Sequence, residues 1–306
     1  MKISIVATLY QSADYIKEFY ERTSRIASSI VGLDYEIILV NDGSPDKSLE
    51  VAIKISSSDS HVIVVDLSRN FGHHKAMMTG LKYATGERVF LIDSDLEEEP
   101  EWLLVFSEEM NKKSGDVVFG VQNTRKGNFF ERITGHIFYK TFFYLTSLPL
   151  PENLVTARLM TQRYVQSLLL HEEREVFIAG LWYITGFDQH PLIVQKLNTS
   201  STTYTLRKKF HLLINSVTSF SSSPLVTIFY IGLFILFFAS IYSFYLVINW
   251  TFFSKPLAGW TSVMASIWIL GGMMISFIGI IGIYLSKIYS ETKKRPYTLV
   301  RMVYGK

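Results

Sequence analysis

Short apolar runs recur along the first half of the chain. Ile3–Leu9, Glu36–Val40, Val62–Asp66, Arg88–Ile92 and Val117–Val121 are rich in β-branched residues and are bounded by polar turn residues. Runs of this length and content read as buried strands. Between them lie Ala13–Val31, which is amphipathic, and the helical stretches Pro45–Ser57, His73–Ala84 and Pro100–Lys112. Strand and helix alternating at this spacing predict an α/β fold with a doubly wound, mostly parallel sheet. Ligands of such sheets bind beyond the carboxyl ends of the strands, so the residues there form the candidate site.

The pattern changes in the last third. No Asp, Glu, Lys or Arg occurs from Phe210 to Ser254 or from Pro256 to Ser286. Leu225–Trp250 and Trp260–Leu285 each exceed the roughly 20 apolar residues needed to cross a bilayer, which predicts two transmembrane helices. Arg207, Lys208 and Lys209 precede the first span. Lys287, Lys293, Lys294, Arg295, Arg301 and Lys306 follow the second, against Glu291 alone, and the connecting loop carries only Lys255. The positive-inside rule then puts both termini in the cytoplasm, in a multi-pass protein of the cytoplasmic membrane. Residues 129–148 mix aromatic, apolar and basic side chains with no acid after Glu131, as an interfacial helix does. The expected organisation is a globular domain over 1–205, a juxtamembrane segment over 206–223, a transmembrane hairpin over 224–289 and a basic tail over 290–306.

Composition sharpens this picture. The chain has 306 residues, 48% of them hydrophobic, and a formal charge of +3, with a mean hydropathy of +0.22. Because the excess cations sit beside the spans, they point to anionic headgroups and not to nucleic acid. The absence of cysteine excludes disulfides, thiolate metal sites and cysteine nucleophiles. Ile3–Leu9 is followed by polar residues, so the start of the chain does not read as a signal peptide. Small residues in the stretch GGMMISFIGIIG permit close contact between spans and self-association.

The strand ends carry the candidate chemistry. They are Thr8-Leu9-Tyr10, Asn41-Asp42-Gly43-Ser44, a loop from Asp66 to Gly72 containing Arg69 and Asn70, and Asp93-Ser94-Asp95. Each alone reads equally as a turn or a cap, but their common edge is less easily ordinary. Five carboxylates fall between Asp93 and Glu99. Glu98, Glu99 and Glu101 suit a helix start with Pro100 at its first position. Asp93 and Asp95 suit a hard divalent cation, which shares its shell with substrate phosphates. Asp42 could accept the imino hydrogen of a base. Trp182-Tyr183 near Gly186-Phe187 could stack on a sugar or simply pack in the core. His73, His74 and His211 receive no role.

The stretches VATLYQSADYI, ILVNDGSPDKS, LSRNFGHHKAMMTGLKYATGERVFLIDSDLEEEPE, SFSSSPL and IYSETKKRPYTLV together cover much of the chain. Through them it resembles the inverting glycosyltransferases of family 2 with a GT-A fold, and within these the polyisoprenyl-phosphate glycosyltransferases, the group of bactoprenol glucosyltransferase and dolichol-phosphate mannose synthase. The resemblance implies transfer of a sugar from a nucleotide-sugar, UDP-linked by preference, to a polyprenyl phosphate such as undecaprenyl phosphate, for cell-envelope glycan. It implies nucleotide contacts at Thr8, Tyr10, Asp42, Asp93 and Ser94. It also implies Mg²⁺ or Mn²⁺ held by Asp93, Asp95 and Glu97, with Asp95 catalytic and Glu97 standing where relatives commonly have Gln.

Departures qualify the mechanism. Many relatives have an Asp, taken as the catalytic base, where this chain has Thr156 in TARLM; Glu152 is close in sequence. Arg125 and Arg132 are the expected acceptor-phosphate cations, Arg125 also entering catalysis. Gln122 replaces an Arg often found earlier in that segment, and Lys196 is the nearest cation to one expected in a later loop. A phosphate acceptor, with a second pKa near 6, is already ionised at neutral pH and needs no base. Two alternatives remain: transfer to a hydroxyl of a lipid-linked saccharide, or a catalytically silent membrane scaffold of the same fold.

Overall fold

The computed structural model describes residues 1–122, 140–149, 151, 153–174, 176–197, 214, 216–252 and 259–305. In chain order the elements are β1 (Ile3–Leu9), α1 (Ile16–Val31), β2 (Tyr35–Asn41), α2 (Ser48–Ser58), β3 (Val62–Leu67), α3 (His73–Tyr83), β4 (Arg88–Leu91), α4 (Trp102–Lys113) and β5 (Val117–Gln122). They continue with β6 (Leu154–Thr161), α5 (Gln162–Leu168), α6 (Ile178–Ile184), β7 (Gln189–Val194), α7 (Ser223–Phe252), α8 (Trp260–Thr292) and β8 (Val300–Tyr304). The chain divides into two compact units. One comprises Met1–Lys140, Leu148–Lys209 and Arg295–Lys306; the other comprises Thr141–Ser147 and Phe210–Lys294.

The first unit is built on one eight-stranded sheet in the order β7-β5-β6-β4-β1-β2-β3-β8. β1 pairs in parallel with β2 and β4, β2 with β3, and β5 with β7. Every residue of β1 and β2 is buried, as expected of strands covered on both faces. The apolar side of α1 supplies Ile16, Phe19 and Ala27 to the core, and α4 adds Leu103, Phe106 and Met110. On α3, Gly80 allows close approach to the sheet: a Cβ there would run into Val6 and Val40.

Two strands run against the rest, and neither is expected from the sequence. β6 lies antiparallel between β4 and β5, which brings Thr156 and Arg158 beside the end of β4. β8 pairs antiparallel with β3, so the segment expected as a basic tail includes a strand of the main sheet. Arg301 lies 3.4 Å from Asp66 and donates to the Ser68 carbonyl at 2.6 Å. Thr298 bonds Thr79 at 2.8 Å, and Lys82 sits over the Tyr297 ring.

In the second unit α7 and α8 are 30 and 33 residues long. Among the described residues one stretch, Ile269–Thr292 in α8, is long and apolar enough to cross a membrane; in α7 the comparable apolar stretch, Ser223–Ile235, is shorter. The expectation of two spans is therefore met by one candidate. Large apolar side chains such as Phe234, Phe237, Ile275 and Ile278 are exposed. At the end of α8, Tyr284 donates to the Ser221 carbonyl and Lys287 to the Ser219 hydroxyl, each at 2.7 Å. Residues 140–146 are helical; the remainder of the expected interfacial helix lies outside the described residues.

Candidate active site

The site assembles where β1, β2 and β4 end. β1 and β4 are paired in register, and Ile92 donates to the Val6 carbonyl, so the chain leaving β4 runs beside Thr8. The Ser94 hydroxyl donates to the Thr8 carbonyl at 2.7 Å, locking the acidic loop to β1. The Thr8 hydroxyl lies 2.9 Å from His73 Nδ1, and His73 Nε2 lies 3.2 Å from Asp93 Oδ1. A chain of polar contacts thus links Thr8 through the first residue of α3 to Asp93. Tyr10, one residue past β1, is half exposed.

β2 delivers Asp42 to the same edge. This carboxylate is buried, and its two oxygens accept the backbone N–H groups of Phe71 at 2.7 Å and Gly72 at 3.0 Å. Burial raises its pKa, which these N–H groups and the nearby His73 and Arg69 only partly offset. Gly43, at φ +60°, is required here, because a Cβ would strike the backbone of Arg69 and Asn70. The Asn-Asp-Gly-Ser turn and the Arg69–Gly72 loop therefore form one packed unit, with Arg69 stacked on Phe71.

The helix-start reading of Glu98 is corrected by the structure. α4 begins only at Trp102, and Glu98 is completely buried beneath the acidic loop. Its Oε1 accepts the Thr156 N–H at 2.9 Å and pairs with Lys196 Nζ at 2.9 Å; Lys196 also lies 3.7 Å from Asp93. One lysine thus answers two carboxylates. Burial and the Asp93 charge push the Glu98 carboxyl up to about 7, against the pull of Lys196. Asp93 goes the other way: burial disfavours its charge, but His73, Lys196 and the Thr156 hydroxyl together hold it below the usual range. Lys196 is raised, because the two acids outweigh its own desolvation. His73 is raised as well; desolvation opposes its charge, and Asp93, then Glu98 and Asp42, prevail.

The acidic loop turns at Leu96, a non-glycine residue at φ +61°, and Asp95 Oδ1 accepts the Glu97 N–H at 3.0 Å. Burial and the Asp93 charge raise the Asp95 pKa. A divalent cation would relieve that repulsion, so the donor chemistry at Asp95 fits one. Among the described residues, however, no three carboxylates or imidazoles stand together as a ready cluster. The structure thus brings together Thr8, Asp93, Ser94 and Thr156, with Asp42, Asp95 and Glu97 on the adjoining loops. Arg125, Arg132 and Glu152 lie outside the described residues. His73, Glu98 and Lys196 join the site without having been assigned to it.

The chain is similar to known proteins along its length. The profile of glycosyl transferase family 2 matches residues 4–168. The chain is 52% identical over 305 residues to a Mycobacterium tuberculosis protein described among glycosyltransferases, covering all of this chain and 89% of that one. It is 31% identical over 304 residues to the bactoprenol glucosyl transferase of Shigella phage SfX, covering 98% and 99% of the two chains. Among solved structures, S. aureus TarS residues 1–349 with UDP-GlcNAc gives a TM-score of 0.49 at 18% identity, over 72% of this chain and 66% of that one. Glucosyl-3-phosphoglycerate synthase from M. tuberculosis with Mn²⁺, UDP and glucosyl-3-phosphoglycerate also gives 0.49 at 18%, over 72% and 80%. With the family profile spanning the strands that carry the acidic loop, Asp42 and Thr156, and relatives matching from end to end, this chain belongs to glycosyltransferase family 2.

Proposed function

We propose that this enzyme is a membrane-bound inverting glycosyltransferase that moves a sugar from a UDP-sugar to a polyprenyl phosphate such as undecaprenyl phosphate. The observation that carries the acceptor assignment is the end-to-end match to a protein named bactoprenol glucosyl transferase. Asp42 and the Thr8–Tyr10 strand end would receive the nucleotide. Asp95, with Asp93 and Glu97, would hold Mg²⁺ or Mn²⁺, which when bound supplies charge stabilisation to the leaving diphosphate. His73 and Lys196 hold Asp93 ionised and fixed in place. Arg125 and Arg132 would meet the acceptor phosphate. Two spans would then anchor the chain, both termini cytoplasmic, with basic flanks against anionic headgroups.

Thr156 bears on the choice of acceptor. It cannot act as a general base, and its own N–H is held by Glu98. An acceptor that arrives ionised needs orientation and no proton removal. The test incubates purified protein with candidate nucleotide-sugars and undecaprenyl phosphate and identifies the lipid product by mass spectrometry. A sugar on the lipid phosphate is the expected result. A sugar on a saccharide hydroxyl would replace this acceptor, and no product with any donor would favour the silent scaffold.

A further inference from the structure

β1 and β2 end side by side, with Leu9 opposite Asn41 and the Asp42 N–H bonded to the Leu9 carbonyl. Beyond that point sheet pairing stops and side chains take over. The amides of Gln11, Ser12 and Ala13 donate in succession to Ser44 Oγ at 2.7 Å, Ser48 Oγ at 2.9 Å and Asp46 Oδ2 at 3.1 Å. Both hydroxyls donate in turn to Asp46 Oδ1, at 2.6 Å from Ser44 and 2.5 Å from Ser48. The Ser48 N–H joins them at 3.0 Å.

Consecutive amides of this kind make a concavity that binds anions. Gln11, a non-glycine residue at φ +54°, gives the turn its left-handed step. Here the anion is the chain's own. Two of the three amides reach the Asp46 carboxylate through a hydroxyl, and a hydroxyl that donates to a charge accepts more strongly. Burial disfavours the Asp46 charge, but the Ser44 and Ser48 hydroxyls and the Ser48 and Ala13 amides outweigh it and hold the pKa at about 2.

What this clamp holds is the candidate site. Gln11 follows Tyr10 and Ser44 stands two residues past Asp42, so tying Gln11 to Ser44 fixes the opening between those two groups. Ser12 extends the hold to the end of β4. Its buried hydroxyl accepts the Tyr10 N–H at 3.2 Å and lies 3.3 Å from the Ser94 hydroxyl, which bonds the Thr8 carbonyl. A residue that only capped α2 would need the Ser48 amide alone. The amides of Gln11, Ser12 and Ala13 are 33 to 36 residues from their acceptors and add nothing to that helix.

We propose that Asp46 is a positioning residue for the nucleotide: its carboxylate fills the amide concavity after β1 and so sets the spacing of Tyr10 and Asp42. That the nucleotide is received there rests on the function proposed above.

The test titrates UDP calorimetrically into full-length protein in detergent, with melting temperature and transfer kinetics measured beside it. Asp46→Ala should weaken UDP binding by about tenfold and raise the donor KM in step. Its kcat at saturating donor and its acceptor KM should stay near wild type. Lys2→Met is the control for plain destabilisation, since Lys2 pairs with Glu36 at 2.7 Å at the opposite ends of the same two strands. It should lower the melting temperature and leave UDP affinity alone. If Asp46→Ala lowers the melting temperature but keeps UDP affinity, Asp46 is a helix cap only and the proposal is refuted. An equal loss of UDP affinity in Lys2→Met would refute it too. If Asp46→Ala does not fold, Ser44→Ala, which cuts the path from Gln11, decides alone: unchanged UDP affinity refutes the clamp. If no glycolipid forms yet UDP affinity depends on Asp46, the transfer reading falls and the clamp stands. If glycolipid forms while Asp46→Ala keeps the wild-type UDP affinity and donor KM, the clamp falls and the transfer reading stands.

Discussion

Replacing Glu98 by Gln should change how stability responds to pH more than it changes the fold. The substitution keeps the shape and an oxygen that can accept from Thr156 and Lys196, and it removes only the ionisable group. In the folded protein the Glu98 carboxyl titrates at about 7, against an ordinary value of 4.5. A folded pKa above the unfolded one means that protonated Glu98 favours folding. That contribution is complete below pH 4.5 and is lost as pH rises towards 7. At about 1.36 kcal/mol per pKa unit, the full loss is about 3 kcal/mol, an upper figure because Glu98 shares one buried site with the charges of Asp93 and Lys196. Melting temperatures of wild type and Glu98→Gln, followed by intrinsic fluorescence in detergent from pH 4.5 to 8, isolate the effect as a difference between the two proteins. The wild type should lose ground against the variant across that window and level off above pH 7. A difference that stays flat from pH 4.5 to 8 would mean that Glu98 ionises as a surface carboxylate does, and the burial argument would fail.

Further outcomes follow from the same geometry. Asp95→Ala should abolish divalent-dependent transfer while leaving the melting temperature unchanged or slightly higher, since a carboxylate repelled by Asp93 is removed; undiminished turnover would refute the metal assignment. Asp42→Ala removes two charge-assisted bonds to the Phe71 and Gly72 amides and should weaken UDP binding by roughly 1.5–3 kcal/mol, which calorimetry measures directly. Arg301→Ala should lower stability by about 1 kcal/mol or less, because Arg301 is half exposed; deleting residues 300–306 should cost clearly more, by uncovering the edge of β3, and equal melting temperatures for the two would deny β8 its role. Thr156→Ala should reduce turnover only modestly and leave its pH profile unchanged, whereas a lost basic limb would identify Thr156 as part of a proton path.

The elements most legible in the sequence are those whose residues are buried on both faces. β1 to β5 announce themselves as apolar runs because most of their residues are buried. β6 does not: Thr156 and Arg158 interrupt it with polar side chains, and a buried arginine in a strand has no signature in the sequence. β8 is hidden for a related reason. Arg301 makes Val300–Tyr304 look like part of a basic tail, although that arginine turns back to Asp66 and the Ser68 carbonyl. The site divides in the same way. Thr8, Asp93 and Ser94 are legible because a strand end fixes their position, whereas Lys196 reaches Glu98 and Asp93 across about a hundred residues that no sequence window spans.

Glu98 is where the two kinds of information meet. By spacing it belongs with Glu99 and Glu101, and Glu101 does pair with Arg22 at the surface, at 2.6 Å. Burial separates Glu98 from them and commits its carboxyl to the Thr156 amide and to Lys196. That commitment bears on the chemistry at β6, the strand next to β4. A carboxyl held inside the fold by an amide and a lysine is in no position to abstract a proton from an incoming hydroxyl, and Thr156 beside it carries a hydroxyl, which is no base at neutral pH. A site that withholds a base suits an acceptor that brings its own negative charge, and that is the physical reason for preferring a phosphate over a sugar hydroxyl.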